Sequence, residues 1–198
     1  MKKTLKIIGA ILVFLLLVLL LLWKLDYIGI GVAQFENKEQ IKTVNNSTYE
    51  TIEYFVENHD FKNYKGKTIF FNSWATWCGG CKKEIPVLNT IHDKYRMDSN
   101  IVFLSYCSNA KANQIDSILK EDELSLNFQK INASNGLRMS LRKLAVEQNH
   151  LKDVDTTNDL VPMNLIIDTS GKIIYYNSSI NKSDLNSIYN TIDHLLKK

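Results

Sequence analysis

The sequence predicts an α/β domain, a central mixed sheet with helices on both faces. Three observations carry that prediction. Short apolar runs rich in β-branched and aromatic residues alternate with longer stretches at helical spacing. The last two runs, Val161–Asp168 and Ile173–Tyr176, flank the tight turn Thr169-Ser170-Gly171-Lys172 and read as a hairpin, which adds an antiparallel pair. Two cysteines, Cys78 and Cys81, stand where a strand run gives way to a helical one.

The chain begins with lysines and then the leucine-rich run Ile7–Trp23, which no charged or polar residue interrupts. The run is longer than the ~7–15 apolar residues of a secretory signal, and the nearest small-x-small triplet, Gly31-Val32-Ala33, lies too far beyond it. It is expected to be an uncleaved transmembrane anchor, with Trp23 at the interface. Lys2, Lys3 and Lys6 then place the N-terminus in the cytoplasm and the rest outside it. Residues 1–26 are thus an anchor segment, 27–47 a polar linker and 48–198 the folded domain.

Thr48–Val56 alternates weakly and reads as a strand. Phe61–Lys67 reads as a turn broken by Gly66, and Lys67–Ser73 as a central strand. Cys81–Tyr95 carries Ile85, Leu88, Ile91, His92 and Tyr95 at helical spacing, with a kink expected at Pro86. Asn100–Cys107 is the next buried strand and Asn109–Glu121 an amphipathic helix. Leu126–Ile131 reads as a short strand, Asn135–Asn149 as a helix and His150–Asn158 as a polar loop. After the hairpin, Asn181–Leu196 closes the domain as a helix.

Charge excludes one class of function. The net charge is +3, and Lys2, Lys3, Lys6 and Lys24 against Asp26 account for all of it. The remainder is balanced and carries no basic stripe for nucleic acid. A hydrophobic share of 45% with only two prolines suits a packed core rather than disorder.

The chemistry concentrates in Trp74-Ala75-Thr76-Trp77-Cys78-Gly79-Gly80-Cys81-Lys82-Lys83-Glu84-Ile85-Pro86. At a helix N-terminus the unpaired N–H groups and the positive dipole end stabilise a thiolate, here on Cys78. Cys81 lies one turn on, within reach to close a disulfide. A structural zinc site would need two further ligands, and neither a second C-x-x-C nor a paired histidine follows. A purely structural disulfide would close too small a loop to stabilise much. A cycling dithiol remains, and it needs no cofactor. Cys107 ends a buried strand, where a free cysteine by default behaves as a small hydrophobe, with a third redox thiol as the alternative.

The segment Trp-Ala-Thr-Trp-Cys-x-x-Cys-Lys-Lys-Glu-x-Pro resembles the thioredoxin superfamily, and most of all its membrane-anchored TlpA/ResA-like branch. The resemblance implies a thioredoxin-like fold over 48–198, attack by Cys78 and resolution by Cys81. It also implies an active-site carboxylate at Glu84 and a cis proline facing the dithiol, for which Pro162 is the candidate. Three departures stand out. Gly79-Gly80 lacks the proline that relatives commonly carry before the second cysteine, and Val161 replaces a frequent threonine. Asn72 occupies the position where thioredoxins proper hold a proton-accepting aspartate, and an amide cannot act as that base.

The function expected from the resemblance is a membrane-anchored thiol–disulfide oxidoreductase. It would reduce disulfides of extracytoplasmic (periplasmic) proteins, including those of cytochrome c maturation, and be re-reduced by a membrane donor of the DsbD/CcdA type. The alternative is a Sco-like copper-binding chaperone. Those proteins space their cysteines by three residues and add a distal histidine; here the spacing is two, and His150 is the histidine in the relevant segment. A peroxiredoxin is disfavoured because Ala75 and Phe71 replace the threonine and proline its cysteine needs.

Overall fold

The computed structural model describes residues 48–57, 64–134, 136–149 and 160–197. The expected anchor Ile7–Trp23, the linker, residues 61–63 of the expected turn and the polar loop with His150 lie outside the described residues. Among the described residues no helix is long and apolar enough to cross a membrane.

The elements run α1 (Thr48–Phe55), β1 (Val56–Glu57), β2 (Thr68–Trp74), α2 (Gly79–Tyr95), β3 (Ile101–Cys107), α3 (Ile115–Glu121) and β4 (Gln129–Ala133). They continue with α4 (Gly136–Asn149), β5 (Met163–Ile167), β6 (Ile173–Asn177) and α5 (Leu185–Leu196). The six strands form one mixed sheet in the order β1-β4-β3-β2-β5-β6. β2, β3 and β4 are parallel neighbours, whereas β5 joins β2 antiparallel and β6 closes the hairpin. The parallel pairs need helical crossovers, which α2 and α3 supply.

β2 is buried at every position, so it reads as a nearly continuous apolar run rather than an alternating one. Its residues divide the core between the two faces of the sheet. Phe70 and Trp74 pack with Leu88 and Ile91 of α2, Leu119 of α3 and Ile188 of α5. Ile69 and Phe71 pack on the other face with Ile52 of α1 and Leu141 of α4. Helices therefore cover both faces, as the sequence predicts.

The structure corrects three elements. Thr48–Phe55 is a helix, not a strand. Tyr49, Ile52 and Phe55 recur at three-residue spacing and are all buried, so the helical period wins over the weak alternation. The expected strand Leu126–Ile131 is shifted to Gln129–Ala133, because Leu126 and Phe128 turn into the α2 side of the core instead of pairing. The helix expected from Asn109 begins only at Ala112 as a single 3₁₀ turn, and α3 proper starts at Ile115. Asn109 is diverted to a loop contact described below.

α1 is locked to the sheet through Tyr49. Its hydroxyl lies 2.9 Å from the carbonyls of both Lys67 and Asp168, joining the start of β2 to the β5–β6 turn. Gly171 in that turn has φ +85°, and a Cβ there would lie 2.6 Å from the Tyr49 ring. Gly171→Ala thus combines a left-handed backbone with a steric clash. It is expected to cost about 1–3 kcal/mol in urea unfolding, leaving the chemistry of the dithiol unchanged.

Candidate active site

β2 delivers the chain to the dithiol. After Trp74 it turns through a hydrogen bond from the Cys78 N–H to the Ala75 carbonyl (3.0 Å), and α2 starts at Gly79. Cys78 is the residue that caps α2. Its backbone is extended, and its Sγ accepts from the Cys81 N–H at 3.1 Å, as a cap side chain does. The sulfur sits at the positive end of the helix, where a thiolate is favoured. Cys78 and Cys81 are joined in a disulfide with their Cα atoms 5.3 Å apart. Trp77, immediately before the pair, is 71% exposed, whereas Cys81 is only 2% exposed. Cys78, at 7%, is the more exposed residue of the pair.

Gly79 and Gly80 sit in the first turn of α2. Neither has positive φ, and a Cβ at either would meet nothing within 4 Å. The backbone does not require glycine here, so the pair acts through the freedom of the unfolded or opened chain. Gly80→Ala is expected to stabilise the protein by about 0.5–1 kcal/mol in urea denaturation.

The Val161–Pro162 peptide bond is cis. Pro162 directly precedes β5, whose first residue, Met163, pairs with Ser73 near the end of β2. That register brings the proline beside the strand end from which the dithiol loop departs. Val161 packs against the cluster that holds Cys78 and Cys81. Leu160, one residue earlier, is tied by its carbonyl to the guanidinium of the buried Arg142 on α4.

Glu84 is not a surface residue. It is 2% exposed, on the same face of α2 as Cys81 one turn before it. Its Oε1 accepts from the Ile180 N–H, and its Oε2 accepts from Asn164 Nδ2 at 3.2 Å. Burial raises its carboxyl above the ordinary carboxylate range, against the opposing hydrogen bonds from Ile180, Asn164 and Ser179; the Asp184 charge adds to the rise. A carboxyl with a raised folded-state pKa contributes stability below the ordinary range, and that contribution is lost as pH rises through the folded value. The stability of the wild type relative to Glu84→Gln is therefore expected to fall from about pH 4.5 upward until the buried carboxyl is ionised. Urea unfolding of both proteins across that interval checks it.

Asn72 is buried at the centre of β2 and makes side-chain bonds on both sides. It accepts from Ser105 Oγ at 3.4 Å and donates to Asn164 Oδ1 at 2.9 Å. Sequence alone does not single out Ser105 or Asn164. Their signal is a single polar residue within each apolar run, Ile101–Cys107 and Met163–Ile167.

Cys107 is buried beside the end of β2, paired in register with Trp74. Burial pushes its thiol up, outweighing hydrogen bonds from the Asn109, Ala110 and Thr76 backbone and the charge of Arg138. The Asn109 side chain accepts from the Thr76 N–H (2.9 Å) and donates to Thr76 Oγ1 (2.7 Å), clasping the loop after β3 to the loop before Cys78. In the reduced protein Cys78 is expected to alkylate faster than Cys107 near neutral pH, because Cys107 has burial against it and no helix terminus. Mass spectrometry of a short iodoacetamide pulse reads the order; fastest labelling at Cys107 would contradict it. Among the described residues no group of three or more His, Cys, Asp or Glu converges on one point. His150, the histidine a copper site would need, lies outside the described residues.

Comparison with known proteins follows the same geometry. The Redoxin family model matches residues 44–192. A ResA thiol–disulfide oxidoreductase of Bacillus thuringiensis is 46% identical over 37 residues, which is 19% of this chain and 21% of that protein. A protein disulfide-isomerase of Zea mays is 31% identical over 96 residues, 48% of this chain and 18% of that one. The matches thus span about a fifth of the relatives' length. The solved structure of MTB dsbF superposes with a TM-score of 0.50 at 13% identity, covering 71% of this chain and 96% of that one. The shared architecture is the thioredoxin-like fold.

Proposed function

The chain belongs to the Redoxin family, as a TlpA/ResA-like member of the thioredoxin superfamily, and on that premise we propose that it reduces protein disulfides through Cys78 and Cys81. The observation that supports this reading most is the position of Cys78 as the cap of α2, disulfide-bonded to a buried Cys81. In the reduced protein the Cys78 thiolate attacks one sulfur of a substrate disulfide. The substrate S–S bond breaks, and its other sulfur leaves as a thiolate. Cys81 then loses its proton and attacks Cys78 Sγ, which releases the second substrate thiolate and closes the Cys78–Cys81 bond. Two electrons pass from the protein dithiol to the substrate.

Glu84 is the group that accepts the Cys81 proton. It shares the buried helix face with Cys81, and its raised pKa brings it closer to that of a thiol. Exposed Trp77 and the segment at Pro162 border the pair and supply the surface for an extended substrate chain. The Cys-x-x-Cys spacing favours this reading over a copper chaperone, whose cysteines stand further apart.

The anchoring is part of the same proposal. Ile7–Trp23 holds the domain at the outer face of the cytoplasmic membrane, with the N-terminus inside. A membrane donor of the DsbD/CcdA type returns the dithiol to its reduced state, and the substrates are extracytoplasmic proteins, among them those of cytochrome c maturation. A C-terminal reporter active only outside the cytoplasm, on a protein retained in membranes after carbonate washing, is the expected outcome. A shortened soluble form would contradict the anchor.

A further inference from the structure

Ser105, Asn72 and Asn164 occupy one row across three adjacent strands. Asn72 pairs in register with Ser105 on β3 and with Asn164 on β5. Paired positions present their side chains on one face. Here that is the face covered by α2, since Phe70 and Trp74, two residues to either side of Asn72, pack there. All three polar residues are 0–2% exposed. Trp74 Nε1 donates to Ser105 Oγ at 3.1 Å, and Ser105 Oγ donates to Asn72 Oδ1 at 3.4 Å. Asn72 Nδ2 donates to Asn164 Oδ1 at 2.9 Å, and Asn164 Nδ2 donates to Glu84 Oε2 at 3.2 Å.

The two ends fix the direction of this chain. An indole N–H can only donate, and a carboxylate can only accept. Every link between them must then donate toward Glu84. Buried polar groups pay heavily for a broken bond, so the links are held as a unit.

We propose that Asn164 is a positioning residue for Glu84, the last link of a one-way hydrogen-bond relay from Trp74, and that the amide at residue 72 is what allows the relay to end on a charged carboxylate. An ionised aspartate at 72 would accept where Asn72 donates. Asn164 would then have to turn its Nδ2 toward residue 72 and its Oδ1 toward Glu84, which could remain only as the protonated acid. Asn72 and Glu84 are thus a matched pair: the proton acceptor sits on α2 because residue 72 is an amide. The catalytic consequence rests on the proton-acceptor reading of Glu84 given above; the relay itself does not.

The test is a carboxyl titration of the oxidised full-length chain, in which neither Cys78 nor Cys81 titrates. The Glu84 side-chain ¹³C signal is assigned by its loss in Glu84→Gln. The titratable groups facing it are Asp184, ahead of α5, and Tyr175 on β6. In the wild type the Asn164 side-chain amide should move with the Glu84 midpoint. Asn164→Ala, which removes the donor, should raise the proton affinity of Glu84 about tenfold or more, and Asn72→Asp, which keeps the shape, should do the same wherever residue 72 is ionised. A wild-type Asn164 amide blind to that midpoint, or an Asn164→Ala protein with unchanged Glu84 titration, overturns the relay. Disulfide turnover separates the two claims. If the titration shifts while Glu84→Gln turns over normally, the relay is upheld and the proton-acceptor reading falls. If the titration is unmoved while Glu84→Gln is slow, the relay falls and the reading is upheld.

Discussion

Replacing Cys78 with serine is expected to reduce disulfide turnover to the uncatalysed background, a fall of about a thousandfold or more. The reason is positional. Cys78 is the sulfur at the N-terminus of a 17-residue helix, so its thiolate has the field and the N–H groups that stabilise charge. A serine hydroxyl in the same place is not a nucleophile at neutral pH. Cys107 cannot substitute: it is buried, its thiol is pushed up, and its Sγ–H is directed to Asn109 Oδ1 at 3.4 Å. Stability of the Cys78→Ser protein should match that of reduced wild type in urea, which separates loss of chemistry from loss of fold.

The second large effect is expected at Glu84. When Cys78 holds a mixed disulfide, Cys81 must become a thiolate to resolve it. A buried thiol near pH 8.5 is mostly protonated at neutrality. Glu84→Gln removes the acceptor and should slow resolution by about 10²–10⁴-fold, the usual contribution of a positioned acid or base. The same change removes a like charge from the neighbourhood of the thiols, so their pKa values should fall and the reduction potential should shift. Slower resolution combined with more acidic thiols distinguishes a proton acceptor from a residue that only packs. Stopped-flow resolution of a preformed mixed disulfide and thiolate absorbance against pH read the two effects. Unchanged values for both would remove Glu84 from the mechanism.

Much of the fold was legible because local pattern and burial agree. β2, β3 and β5 are buried apolar runs, and α2 and α4 have clear helical spacing. Thr48–Phe55 is ambiguous in sequence because an eight-residue segment with two interleaved sets of apolar and polar residues fits both periods. Only its packing on Gly136 and the sheet decides, with Phe55 Cε1 lying 2.5 Å from where a Cβ of Gly136 would be. At the site, the dithiol and its helix terminus follow from spacing alone. Pro162 had to be carried by resemblance, since no local signal marks a cis bond. Glu84 is likewise named by resemblance rather than by its Lys-Lys-Glu run, and its burial follows from sharing a face with Cys81, Ile85 and Leu88. The Ser105–Asn72–Asn164 row could not be read, because it requires the register of three strands that are distant in sequence.

The central claim is that Cys78 attacks and Cys81 resolves. The most direct measurement is intact-mass and peptide-mapping analysis of the full-length Cys81→Ser protein after mixing its reduced form with a disulfide-bonded peptide. The account predicts one stable adduct, with the peptide's sulfur on Cys78 and Cys107 still free. An adduct on Cys107, or no adduct while Cys78→Ser captures the peptide on Cys81, would contradict it.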